Sequence, residues 1–315
     1  MGIFDFFSKK RKDEQSATQF PQQPASKQDK RDEQATTSLK PDADYLLEKI
    51  EVVPGLVLPR AFADHWPELS QTKKNFVKIN AIPSDNIGLQ QSKFGYYPVL
   101  PAGVPYPKAK DGNFMFPLAQ INFRDMPNLP GYPKTGYLQF FIATDDTHGL
   151  RFDKEPSDFK VLYFEEHEVE QHQTDFDFLN DVLTDERQPV YKPHALTFEL
   201  KEEYFGVGNA VSEENSVASL DEIASKFEGD LEDELMEFAY DNFSHNGHKV
   251  GGYAYFTQED PRIYDEELQD HVLLLQIDSD IEIMWGDSGV CNFFIHPDDL
   301  AKKDFSKVYY NWDCS

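Results

Sequence analysis

Leu118-Ala119-Gln120-Ile121-Asn122 returns as Leu274-Leu275-Gln276-Ile277-Asp278, 156 positions further along the chain. Lys93-Phe94-Gly95 with Tyr97 returns at the same offset as Lys249-Val250-Gly251 with Tyr253 (249 minus 93, and 274 minus 118). After a three-residue slip, Gly136-Tyr137-Leu138-Gln139-Phe140-Phe141-Ile142 aligns with Gly289-Val290-Cys291-Asn292-Phe293-Phe294-Ile295. A looser echo follows in Lys160-Val161-Leu162-Tyr163 and Lys307-Val308-Tyr309-Tyr310. The chain therefore reads as an internal duplication, with a first copy over 91–164, an acidic insert over 170–244 and a second copy over 245–315.

The repeated runs are short and rich in aromatic and β-branched residues, which predicts strands. Pro98, Pro101, Pro105 and Pro107 forbid a helix in the approach to the first of them. Helices are expected from 42–78 and from the insert. Tyr45, Leu46, Ile50 and Val53 form a rough helical stripe, and Phe62, Trp66, Leu69 and Phe76 suggest a helix over 61–78. Thr174–Leu183 has near-helical apolar spacing, and Val190–Leu200 reads as a strand broken at Pro193. Ser219-Leu220-Asp221-Glu222 is a capping box opening a helix that Gly229 interrupts. The expected fold is α+β: a β-rich single domain over 42–315 built from two pseudo-equivalent halves, with Trp312 buried at its end.

Side chains alternate faces along a strand, so Leu118, Gln120 and Asn122 share one face, as do Leu274, Gln276 and Asp278. In the neighbouring strands Gln139 and Asn292 take matching places. An unpaired buried amide costs about 1 to 3 kcal/mol, so these four need partners. Either they bond backbone groups at strand ends or across the seam between copies, or Gln120, Gln139, Gln276 and Asn292 line a cleft and offer donors and acceptors to a ligand. Amides do not titrate, so they suit recognition better than acid–base catalysis.

The 57 acidic and 30 basic residues leave a formal charge of −27, which argues against nucleic acid as a partner because phosphate neutralisation needs a basic footprint. Two cysteines, Cys291 and Cys314, are too few for a disulfide framework and suit a reducing, cytoplasmic setting. Cys291 stands where the first copy has Leu138, so it reads as a core residue. Residues 1–41 are almost all polar and predict a disordered tail. Its first twelve residues, apolar and then basic, allow at most weak membrane contact.

Met284-Trp285-Gly286-Asp287-Ser288-Gly289 contains Gly-Asp-Ser-Gly, as in the nucleophile segment of trypsin-like proteases. The match ends there: Val290 follows, and no Ala-Ala-His-Cys segment stands upstream to supply a base. The stretch aligns with the Thr135-Gly136 turn, so it reads as an exposed turn presenting Trp285 and Asp287. His248 and Lys249 open a polar group with Tyr253, Tyr255, Asp260 and Arg262 that would serve as a binding edge. His167 and His172 are five apart and share a face of neither helix nor strand, so no metal site is expected, and no cofactor motif is present.

Phe94-Gly95, Pro98, Pro101, Pro107, Leu118–Asn122, Leu129-Pro130 and Leu138–Phe141 together resemble the YwqG family of bacterial proteins. Lys249, Gly251-Gly252, Asp260-Pro261, Leu274–Gln276, Trp285–Gly289 and Phe293-Phe294 carry the same resemblance, over roughly 42–315. It implies a compact duplicated β-rich domain without an assigned reaction, in a family whose members are sometimes associated with toxin and immunity loci. The resulting expectation is a binding or protein-interaction module with an immunity-like role toward a basic protein or peptide. The alternative is a hydrolase with Asp287, Ser288 or His248 in its site.

Overall fold

A computed structural model describes residues 42–151, 157–208 and 217–315. The tail expected over 1–41 lies outside the described residues, and with it the membrane-contact segment. The chain opens with a short helix α1 (Ala43–Leu47) and a hairpin of β1 (Lys49–Val53) and β2 (Leu56–Pro59), followed by α2 (Arg60–Ala63) and α3 (Trp66–Leu69). The long strand β3 (Lys74–Pro83) comes next, then β4 (Lys93–Phe94), β5 (Phe116–Asn122), β6 (Tyr137–Ile142) and β7 (Phe159–Phe164). The insert supplies α4 (Asn180–Leu183), β8 (His194–Glu203), α5 (Leu220–Ala224) and α6 (Asp230–Phe243). The chain ends with β9 (Lys249–Gly251), β10 (Val272–Asp278), β11 (Val290–Ile295), α7 (Pro297–Lys302) and β12 (Tyr309–Asp313).

Ten strands form one antiparallel sheet in the order β12-β11-β10-β9-β3-β8-β4-β5-β6-β7. The β3–β8 ribbon is its centre, paired over ten residues from Lys74–Glu203 to Pro83–His194. On each side a four-stranded arm runs outward. The arms share fine detail: Lys93 pairs with Gln120 and Lys249 with Gln276, Gln139 with Gln120 and Asn292 with Gln276. Each also carries a register shift at the same place, between Pro117 and Ala119 and between Leu273 and Leu275. The sheet curls into a nearly closed barrel filled by one core cluster, in which Phe140 of one arm meets Phe293 of the other at 4.7 Å between ring centroids.

The outer faces of the arms are covered by the chain itself. Leu100, Tyr106 and Met115 lie against Phe141 on one arm, and Ala254 and Phe256 against Phe294 on the other. Proline in the first of these covers removes donors and holds the backbone extended, which suits a layer lying over a sheet rather than pairing into it. A second apolar cluster joins both helical regions: Leu46, Leu58 and Phe62 pack with Ile223, Leu235 and Ala239.

Four local expectations are corrected. Residues 74–78 are not helix but the start of β3, where Val77 and Ile79 alternate inward with exposed Lys74, Lys78 and Asn80. The stripe at 45–53 divides into α1 and β1, and 174–183 holds one 3-10 turn and the single α turn α4. The break read at Pro193 within Val190–Leu200 is present, since Pro193 cannot donate to a ladder: Val190 forms an isolated bridge with Ile283, and β8 begins at His194. Trp312 is half-buried, packed on the core but bordering an open cavity. The capping box at Ser219 and Glu222 is made in both directions, and Gly229, at φ 65°, caps α6.

Candidate functional site

The repeated amides hold the covering loops to the sheet. Gln120 Oε1 accepts from the Val99 N–H at 2.8 Å, and its Nε2 donates to the carbonyls of Leu89 and Gln91 at 2.9 Å each. Gln276 does the same 156 positions on: Oε1 accepts from Tyr255 N–H at 2.8 Å, and Nε2 donates to His245 and Gly247 carbonyls at 3.0 and 2.8 Å. Gln139 donates to the Val99 carbonyl at 2.5 Å, and Asn292 to that of Tyr255 at 2.8 Å. All four side chains are buried. Gln120 and Gln276 therefore do not face each other; each serves its own arm.

Beside each amide stands a buried lysine. Lys249 Nζ sits 3.1 Å from Glu203 Oε2, which also meets His245 Nδ1 at 3.0 Å. Burial pushes the Lys249 ammonium below the usual lysine range, and His245 and Lys249 together hold the Glu203 carboxyl below its own. Gly252 must lack a side chain here, since its φ is 77° and a Cβ would run into Glu203. Among the described residues, Lys93 at the equivalent position has no carboxylate within salt-bridge reach. Its Nζ donates to the carbonyls of Gly88, Leu89 and Tyr97 at 2.8, 2.7 and 3.0 Å, and burial pushes its pKa down to about 7. Its place in the repeat, beside Lys249, was the signal that could have singled it out.

His248 lies beside the middle of β3, its carbonyl accepting from the Ile79 N–H at 2.9 Å and its ring edge-on to Phe94 at 5.5 Å. Its Nδ1 accepts from the Asp278 N–H at 3.0 Å, so the proton is on Nε2, which faces Asp280 Oδ2 at 3.2 Å. Both ring nitrogens are engaged, and no lone pair is left to take a proton from a nucleophile. Asp287 and Ser288 lie exposed on the β10–β11 turn, with Ser288 at φ 55°. Among the described residues no hydrogen bond joins either of them to a histidine. Trp285 corrects an expectation. It does not project from that turn but is fully buried, 5.5 Å from His148 and 6.1 Å from Trp312 between ring centroids. Of the polar group at 248–262, Tyr253 bonds the Thr72 carbonyl, and Asp260 holds Arg262 at 2.6 Å over the Phe294 ring.

An open cavity of about 650 Å³ runs along β12, the end strand of the sheet. Tyr309, Asn311 and Trp312 form its floor, Leu150 and Arg151 one wall, and Glu259 and Tyr264 the other. Among the described residues the outer edge of β12 makes no backbone hydrogen bond to another strand or loop. Among the described residues no group of three or more His, Cys, Asp or Glu is placed to hold a metal ion, and no helix is long and apolar enough to cross a membrane.

Residues 92–314 match the family model described as domain of unknown function DUF1963, and the chain belongs to that family. The match begins at Ser92, beside Lys93, and spans both arms of the sheet while leaving out β1–β3. No curated protein matches the chain.

Proposed function

We propose that this protein is a binding module that takes up an extended, basic protein segment along β12. The observation that carries the reading is the open cavity beside a sheet edge whose backbone has no partner strand among the described residues. An extended segment laid there gains main-chain hydrogen bonds from the edge, while alternate side chains enter the cavity. Tyr264, 71% exposed, together with Tyr309 and Trp312 offers broad apolar contact. Glu259 and the overall charge of −27 favour a cationic partner and speed its encounter. An immunity-like role, sequestering a basic protein, is consistent with that chemistry, and two free cysteines suit a reducing cytoplasm. No observation of comparable weight favours a hydrolase at Asp287 or His248.

The shared offset of 156 in the amide bonds, with Val99 answering to Tyr255 and Leu89 to His245, supports descent of the two arms from one duplicated unit. It also supports the narrower likeness to YwqG proteins. Peptide display against the full chain tests the binding reading. Enrichment of lysine- or arginine-bearing segments, lost in Tyr264→Ala and Glu259→Lys and weakened by salt, is expected. Enrichment indifferent to both substitutions, or none, overturns it.

A further inference from the structure

Among the described residues, three buried side chains from distant parts of the chain leave polar atoms without a protein partner. Gln188, 1% exposed, bonds neither through Oε1 nor through Nε2; Trp285, 0% exposed, leaves Nε1 unpaired; His148, 8% exposed, leaves Nδ1 unpaired. They belong to one place. Val190 and Ile283 form an antiparallel bridge, Tyr191 N–H bonds the Glu282 carbonyl at 2.8 Å, and Met284 N–H bonds the Pro189 carbonyl at 2.8 Å. Continued past Pro189 and Met284, where the ladder bonds end, that register brings Gln188 and Trp285 to the same end of the bridge. Residues directly opposite in an antiparallel pair share a face with Cβ atoms about 5 Å apart, and this face is the one on which Val190 and Ile283 enter the core. His148 closes the group from the β6–β7 connection, its ring perpendicular to Trp285 at 5.5 Å. The connection is tied down there by Tyr310 Oη to the His148 carbonyl at 3.0 Å and Trp312 Nε1 to the Thr147 carbonyl at 2.7 Å.

We infer that Gln188, Trp285 and His148 enclose a site for a small uncharged molecule that both donates and accepts hydrogen bonds. Three orphaned groups in a well-packed core would each cost on the order of 1 to 3 kcal/mol, and one bridging molecule removes all three penalties at once. The donor–acceptor character follows from the set: an indole N–H that only donates, an amide with both functions and an imidazole nitrogen. Neutrality follows from the surroundings. None of the three bears a fixed charge, and burial pushes the His148 imidazole below its usual range, so an ionic guest would be desolvated without a counter-charge. The carboxylates nearby, Asp145 and Asp146, are already paired with Arg151 at 3.2 Å and Arg187 at 3.7 Å. The guest is either solvent water or a small organic molecule of amide-like character.

Gln188→Met tests the site, because it keeps the side-chain volume and removes both polar atoms. A bridged amide makes the variant melt a few degrees lower than the parent; a truly unpartnered one makes it melt higher, which overturns the inference. A crystal structure of the full chain without added ligand gives the second readout. Density within hydrogen-bond distance of at least two of Gln188, Trp285 and His148 is expected. Direct bonding among the three side chains with no such density overturns the inference even if Gln188→Met is destabilised. Native mass spectrometry of the same preparation separates the sources: an added mass lost on denaturation identifies an organic guest, and density without added mass identifies water.

Discussion

Lys93 and Lys249 occupy the same register in the two arms, each opposite a glutamine of the next strand, yet only Lys249 meets a carboxylate. The difference comes from the central ribbon. Glu203 ends β8 on the side where β9 adjoins β3, so the second arm inherits an acid that the first arm lacks. Lys93 instead satisfies its three N–H groups on three carbonyls of its own covering loop. Equivalent positions thus reach different electrostatic solutions with the same job, which is to pin a loop over the sheet.

Lys93 makes stability depend on pH in a predictable direction. Its folded pKa of about 7 lies below the unfolded value near 10.4, so between those values the unfolded chain holds more protons. Stability contributed through this group therefore rises with pH from about 7 to about 10 and is lowest, and flat, below 7. Urea unfolding of the parent and of Lys93→Met at pH 7 and 9.5 is expected to show the parent gaining on the variant as pH rises. An unchanged difference contradicts the depressed pKa.

Glu203 should be among the least replaceable side chains of the fold. Glu203→Gln leaves Lys249 charged and unpaired where it is 1% exposed, and breaking a buried pair in this way costs about 3–5 kcal/mol. Adding Lys249→Met should recover most of the loss, because the orphaned charge goes with it. The Glu203 carboxyl is held below its unfolded value, so its contribution is complete above the ordinary glutamate pKa and disappears as pH falls through the folded one. Denaturant midpoints for the single and double variants at neutral pH, and for the parent in acid, check both statements.

The two thiols should differ sharply in reactivity. Cys291 is fully buried between Phe293 and Val290 in β11, and burial pushes its thiol far above the usual range; Cys314 is half-buried at the chain's last turn. Alkylation of the native protein at pH 8 is expected to label Cys314 alone, with Cys291 appearing only after unfolding, as the thiolate is the reactive form. Equal labelling in the native state contradicts the buried placement.

The strands of the arms were legible because similar short runs rich in aromatic and β-branched residues recur along the chain. Cys291 could be placed in the core simply from Leu138 standing in its position. Residues 74–78 were not legible: Phe76 and Lys78 fit a helical stripe as well as a strand, and only the ten-residue pairing with β8 decides between them. Trp285 misled for a related reason. Its Gly-Asp-Ser-Gly context marks a turn, but whether the residue before a turn points outward depends on His148 and Trp312, which come from elsewhere in the chain. Gln188 carried no signal at all, since a lone glutamine after Asp185-Glu186-Arg187 looks like surface.

The amides carry the last prediction. Gln120 ties Val99, Leu89, Gln91 and Gln139 together, so Gln120→Ala opens a cavity and removes four hydrogen bonds at once, with the Val99 N–H and the Gln91 carbonyl losing their side-chain partner. A loss of about 3 kcal/mol or more is expected, above the ordinary range for a single truncation. The loss should also be local before it is global, because the covering loop is held to the sheet largely through this side chain and Lys93. Hydrogen exchange of the Val99 amide should accelerate in Gln120→Ala while that of Tyr255 stays at its parent rate, and Gln276→Ala should reverse the pattern. If both amides accelerate together in either variant, the arms open as one unit and the independence of the two clamps is wrong.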